Sequence, residues 1–73
     1  DPQQAARWIE AALRAGSDFS RKEMRNNSDA WTLQFRIALQ KRLKNTGVYN
    51  GTLDGQFGPE TRRAIDAIFG KEL

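Results

Sequence analysis

The chain has 73 residues, a formal net charge of +3 from 12 basic and 9 acidic side chains, and neither cysteine nor histidine. That composition excludes disulfides, thiol chemistry, zinc held by cysteine or histidine, and a histidine general base. A chain this short buries only about 60% of its unfolded surface, so its apolar side chains are needed for one core.

The opening Asp1-Pro2-Gln3-Gln4 is polar and lacks the basic-then-apolar order of a secretion signal. The chain is therefore expected to be a segment of a longer protein. No run is apolar and long enough to span a bilayer, so no membrane insertion is expected. A first helix is expected over residues 2–15. Asp1 suits its cap, Pro2 its first turn, and Gln4 can reach back to complete the start. Ala5, Ile9, Ala12 and Leu13 share one face with Trp8 at its edge, while Arg7, Glu10 and Arg14 share the other. Gly16 is a natural left-handed stop.

A short second helix is signalled at residues 19–24, where Ser20 and Glu23 form a capping box and Phe19 staples onto Met24. Asn26-Asn27-Ser28-Asp29 is turn and cap chemistry, with either Ser28 or Asp29 capping the next helix. That third helix is expected over residues 30–45 and is the longest. Trp31, Phe35, Leu39 and Leu43 form one stripe, while Leu33 and Ile37 lie on another side, so both faces should be covered. Lys41, Arg42 and Lys44 crowd its last turn, where cations suit the dipole; they could form an anion patch, but a solvated face is expected. Gly47 ends it.

Gly47, Gly51, Gly55 and Gly58 gather four of the six glycines into one stretch. Asn50-Gly51 and Asp54-Gly55 are strong turn pairs. Leu53 and Phe57 between them should point inward and pin an ordered loop to the core. Pro59 is preset for the first turn of a fourth helix. Its buried face comprises Thr61, Ala64, Ile65, Ile68 and Phe69, and Arg62, Arg63 and Asp66 face outward. No period-2 strand, low-complexity stretch or repeat is evident. The fold class is all-α.

The run LQKRLKNTGVYNGTLDGQFGPETRRAIDAIF, residues 39–69, resembles the peptidoglycan-binding domain found at the ends of many bacterial cell-wall enzymes. Four features carry the resemblance in order: Leu39-Gln40 with Leu43; Gly47 followed by Tyr49; Asp54-Gly55 with Phe57-Gly58; and Thr61 leading into Ala64-Ile65 and Phe69. It implies a small three-helix bundle, usually non-catalytic, that holds a neighbouring enzyme on the murein. The chain then divides into an N-terminal helical extension, residues 1–28, and a peptidoglycan-binding-like core, residues 29–73. The additional N-terminal helix is expected to pack on the third helix through Leu33 and Ile37.

The acids near the loop, Asp54, Glu60 and Asp66, do not read as a facing catalytic pair. Asp66 lies one turn after Arg62 and suits a surface ion pair, and Asp54 suits bonding to the loop backbone. With no nucleophile or acid–base constellation, no catalytic residue is assigned. An EF-hand register that starts at Asn50 would place Thr61 where the essential acid belongs, so no metal is assigned. No cofactor is implied. Asn50-Gly51-Thr52 and Asn26-Asn27-Ser28 fit the glycosylation sequon, a pattern common by chance.

Tyr49 has two roles open to it, stacking on a sugar or covering the core, and the two can coexist on opposite ring faces. The start of the fourth helix can attract a stem-peptide carboxylate or carbonyl near Gly58 to Thr61, with Arg62 or Arg63 nearby. The alternative for these arginines is a solvated face paired with Glu60 and Asp66. The candidate ligand set is Tyr49, Asn50, Thr52, Asp54, Gly58, Thr61, Arg62 and Arg63. Trp8 and Trp31 could serve as sugar platforms, but at helical spacing beside Ile9 and Phe35 they are expected in the core. The expected partners are peptidoglycan stem peptide and glycan in the bacterial envelope. A protein partner docking through residues 2–15 is the alternative. Basic residues are spread over all the helices without a recognition pattern, so no nucleic acid is expected.

Overall fold

The computed structural model describes residues 1–71. Among the described residues the chain forms four α-helices and no strand: α1 (Pro2–Arg14), α2 (Asp18–Asn26), α3 (Leu33–Asn45) and α4 (Pro59–Ile68), with a 3-10 turn at Ser28–Ala30. The all-α expectation holds. The core is Ala6, Leu13, Met24, Phe35, Ala38, Leu39, Leu43, Tyr49, Phe57, Ala64, Ile65 and Ile68.

α1 starts and stops as its sequence dictates. The Asp1 carboxylate accepts the Gln3 N–H at 2.9 Å. At the other end Gly16 takes φ +85°. The Ser17 N–H then reaches Ala12 O and the Gly16 N–H reaches Leu13 O, each at 3.0 Å. These are the paired bonds of a Schellman stop. α3 closes in the same way on Gly47, at φ +89°.

The buried face of α1 is rotated from the expected one. Ala6, Glu10 and Leu13 are buried, Ala5, Ile9 and Ala12 are half-buried, and Trp8 is 69% exposed. Trp8 is thus a surface residue, and Glu10, expected outside, lies inside. The Glu10 carboxylate is held by Arg42 of α3 and by Arg14, whose guanidinium lies 3.2 Å away. A charge enters a core only when it is paired and hydrogen-bonded. Glu10 meets that condition through a residue far along the chain, which helical periodicity cannot see. Glu10→Ala should destabilise the fold by about 2 kcal/mol, the partial exposure of both arginines limiting the loss. Urea denaturation measures it. A loss near zero would mean that the buried carboxylate gains nothing over a methyl.

Two helix starts differ from expectation. α2 is capped by Ser17, whose Oγ accepts the Ser20 N–H at 3.2 Å. Ser20 is therefore a buried residue inside the helix, not its cap, and Phe19 is 73% exposed, so it does not staple onto Met24. α3 is capped by Thr32, whose Oγ1 accepts the Phe35 N–H at 3.1 Å. Ser28 and Asp29 instead form the 3-10 turn, and Trp31 precedes the helix, its ring 4.5 Å from that of Phe35 and its Nε1–H donating to Glu23. In both cases another hydroxyl residue supplied the same capping chemistry, earlier in the chain at Ser17 and later at Thr32.

α1 lies along α3 on the Phe35 and Arg42 side. Leu33 and Ile37 meet the loop at Gly55 rather than α1. α4 is closed by Gly70 at φ +74°, and the Gly70 N–H donates to Leu13 O at 2.9 Å, tying the end of α4 to α1. The Arg21 guanidinium covers the ring of Phe69 at 4.2 Å. Asp66 pairs with Arg25 of α2 rather than with Arg62.

Candidate functional site

The segment from Val48 to Gly58 has no regular structure, yet it is fastened at both ends and in the middle. Phe57 is buried and Leu53 packs partly buried against the core, as the alternation of apolar and turn residues predicts. Asp54 makes the expected local turn bond, its Oδ1 accepting the Gln56 N–H at 2.9 Å. Gly55 takes φ +76°, where side chains are strained.

The central fastener is Gln40, which is 0% exposed. Its Oε1 accepts the Gly55 N–H at 2.8 Å. Its Nε2 lies 3.1 Å from Gln56 O and 3.1 Å from Thr61 Oγ1, and 3.4 Å from both Tyr49 Oη and Asp54 Oδ1. One α3 side chain thus ties the middle of the loop to the first turn of α4. Arg36 adds a donor to Gly55 O at 3.0 Å, and Lys44 adds one to Gly51 O at 3.4 Å. Sequence reasoning assigned Gln40 no role. The available signal was the loop itself: turn residues without a strand partner leave backbone groups that something buried has to satisfy.

The outer face of this loop is a shallow depression of about 320 Å³, lined by Tyr49, Gly51, Thr52, Asp54, Gln56, Gly58, Pro59, Glu60 and Thr61. Five of the candidate residues meet there, in different roles. Tyr49 is 3% exposed and its Oη donates to Thr52 O at 2.6 Å. Its ring has no free face, so of its two possible roles the core one is realised and sugar stacking is not. Thr61 is 1% exposed, its Oγ1 donating to Gln56 O at 3.3 Å, and belongs to the floor as well. Thr52 and Asp54 are exposed walls, and Gly58 is half-exposed. Asn50 is exposed but outside the lining.

Arg62 and Arg63 lie elsewhere. Arg62 lines a second crevice of about 280 Å³ with Arg25, Asn26, Ser28, Asp29, Gln56, Phe57 and Gly58. Arg62 and Arg63 also flank Arg25 and Asp66 along the α2–α4 seam. The Gln56–Gly58 segment separates the two depressions. The expected pairing of these arginines with Glu60 and Asp66 is absent among the described residues. In the first depression the charged walls are Asp54 and Glu60, so it favours groups that donate hydrogen bonds and disfavours an anion. Among the described residues no group of acids, histidines or cysteines is placed to hold a metal.

An all-α bundle whose glycine-rich loop is strapped to a central helix defines the class of protein. The model of the family described as "Putative peptidoglycan binding domain" matches residues 32–68, just over half of the chain, and the chain belongs to that family. The matched segment contains Gln40, the whole loop and α4, and leaves α1 and α2 outside. No curated protein and no solved structure matches the chain.

Proposed function

We propose that the chain is a non-catalytic murein-binding module that anchors or targets a bacterial envelope protein to the cell wall. The single observation that carries this reading is the open depression on the outer face of the strapped loop, within the segment the family model matches. Its exposed groups are a hydroxyl, an amide and two carboxylates, at Thr52, Gln56, Asp54 and Glu60. They accept hydrogen bonds from sugar hydroxyls and from the N–H groups of stem peptides. The loop's order is settled before binding, so little conformational entropy is lost when a ligand arrives. Affinity for a shallow site is modest, and tethering converts it into a high local concentration of a partner domain near its substrate. In this reading residues 29–73 form the binding core, residues 1–28 an extension, and the site of action is extracytoplasmic.

Co-sedimentation with purified sacculi tests the reading. The wild-type chain should pellet. Thr52→Arg and Glu60→Lys, both on exposed walls, should lower apparent affinity by about tenfold, on the order of 1.4 kcal/mol, without changing the fold. A chain that stays in the supernatant with sacculi of every source would refute it.

A second reading has one observation in its favour. Trp8 stands 69% exposed on α1, outside the matched segment, with Asp1, Gln4 and Ala5 around it. In that reading residues 2–15 dock an envelope protein and glycan binding is lost. Trp8→Ala should leave sacculus binding unchanged under the first reading and abolish capture of the protein partner under the second.

A further inference from the structure

The anion site expected near the start of α4 has the wrong surroundings in the loop depression, where Asp54 and Glu60 would repel it. The crevice on the other side of the Gln56–Gly58 segment has the opposite character. Arg62 is exposed into it with no carboxylate partner among the described residues. Ser28, nine-tenths buried, lines it, and its side chain makes no hydrogen bond with any described residue. Asn26 adds an exposed amide, and α4 begins beside it at Gly58 with no side chain capping its first amides. The two other charged groups are already engaged: Arg25 with Asp66, and Asp29 with Arg36 at 3.8 Å. The Asp29 side chain is wholly exposed, so water screens its charge.

We propose that this crevice, between the end of α2 and the start of α4, binds a peptide carboxylate. Arg62 grips the carboxylate through its planar fork, and Ser28 and Asn26 donate to the same oxygens. One unpaired guanidinium with neutral donors suits a single negative charge. Arg25, Asn26 and Ser28 precede the segment that the family model matches, so this chain's N-terminal part completes the crevice. The proposal rests on the murein reading for the ligand's identity: a stem peptide would lay its amides over the loop depression and its terminal carboxylate across the Gly58 ridge.

The test titrates the intact chain with N-acetyl-D-alanyl-D-alanine and, separately, with its C-terminal amide, followed by backbone amide shifts. The acid should shift Asn26, Ser28, Gly58 and Arg62 saturably, and the amide should not. Arg62→Gln should weaken the acid's binding about fivefold or more and Ser28→Ala about twofold, each with an otherwise native spectrum. Equal response to acid and amide, shifts confined to Thr52–Thr61, or an unaffected Arg62→Gln variant would overturn the proposal. So would inorganic phosphate shifting the same amides as strongly as the acid. Acid binding at the crevice by a chain that does not pellet with sacculi would support this site and refute the murein reading. Pelleting without acid binding would do the reverse.

Discussion

Gln40→Ala should lower stability by roughly 3 kcal/mol, because it removes the buried side chain that ties the middle of the loop to α4. The buried Gly55 N–H loses its acceptor at 2.8 Å, and Gln56 O and Thr61 Oγ1 lose a donor at 3.1 Å. An orphaned buried group costs about 1–3 kcal/mol, and the truncated side chain adds a cavity term. Gln56 O keeps the Thr61 hydroxyl as a donor, which holds the total below the sum of all its bonds. Small domains sit near the low end of about 5–15 kcal/mol of stability, so this one change consumes most of it. Urea denaturation measures the loss. Hydrogen exchange locates it: the Gly55 amide should lose protection while α1 and α3 keep theirs in conditions where the fold survives. Near-native stability with Gly55 still protected would mean that the loop is ordered by something other than Gln40.

Gly51→Ala is the second large effect, and its cause is space rather than backbone conformation. A Cβ at Gly51 would lie 2.5 Å from Tyr49 Oη, 2.7 Å from Cζ and 2.8 Å from Cε1. The Tyr49 ring is buried and its hydroxyl is committed to Thr52 O, so the ring has nowhere to go. Overpacking of this kind costs about 1–3 kcal/mol, and the rigid ring places Gly51→Ala at roughly 2–3 kcal/mol. Gly47 gives the contrast. Its φ is +89°, but a Cβ there meets nothing within 4 Å. Gly47→Ala should cost about 1 kcal/mol, the ordinary left-handed penalty. A ranking by backbone angle alone reverses the order, since Gly51 is not among the glycines with positive φ. Comparing the urea midpoints of the two variants decides it, and a Gly51→Ala midpoint above that of Gly47→Ala would sink the packing account of Tyr49.

These two residues mark where the sequence can and cannot be read. Local chemistry was legible. Gly16, Gly47 and Gly70 stop helices, Pro59 starts one, and Leu53 and Phe57 turn inward between turn pairs. Each of those signals acts within a few residues of itself. What was not legible depends on partners far along the chain. Glu10 reads as a surface acid until Arg42 is beside it. Gln40 reads as one polar residue among several on a mixed helix until four loop and helix acceptors converge on it. Trp8 shows the converse: its size and neighbours suggest the core, but the rotation of α1 that buries Glu10 carries Trp8 outward. The candidate site was half legible for the same reason. Tyr49, Thr52, Asp54, Gly58 and Thr61 are close in sequence and meet in one depression. Arg62 and Arg63 are equally close in sequence but lie round the far side of α4, where only α2 shows what faces them.

The central claim is that the strapped loop presents a preformed surface to cell-wall polymer. A titration of the intact chain with soluble muropeptides, followed by backbone amide shifts, tests it most directly. The account predicts saturable shifts at Gly51, Thr52, Asp54, Gln56, Glu60 and Thr61, with the Gln40-bonded Gly55 amide protected from exchange before and after ligand. Shifts gathered on α1 around Trp8 with the loop silent, or no shift at saturating muropeptide, would contradict it.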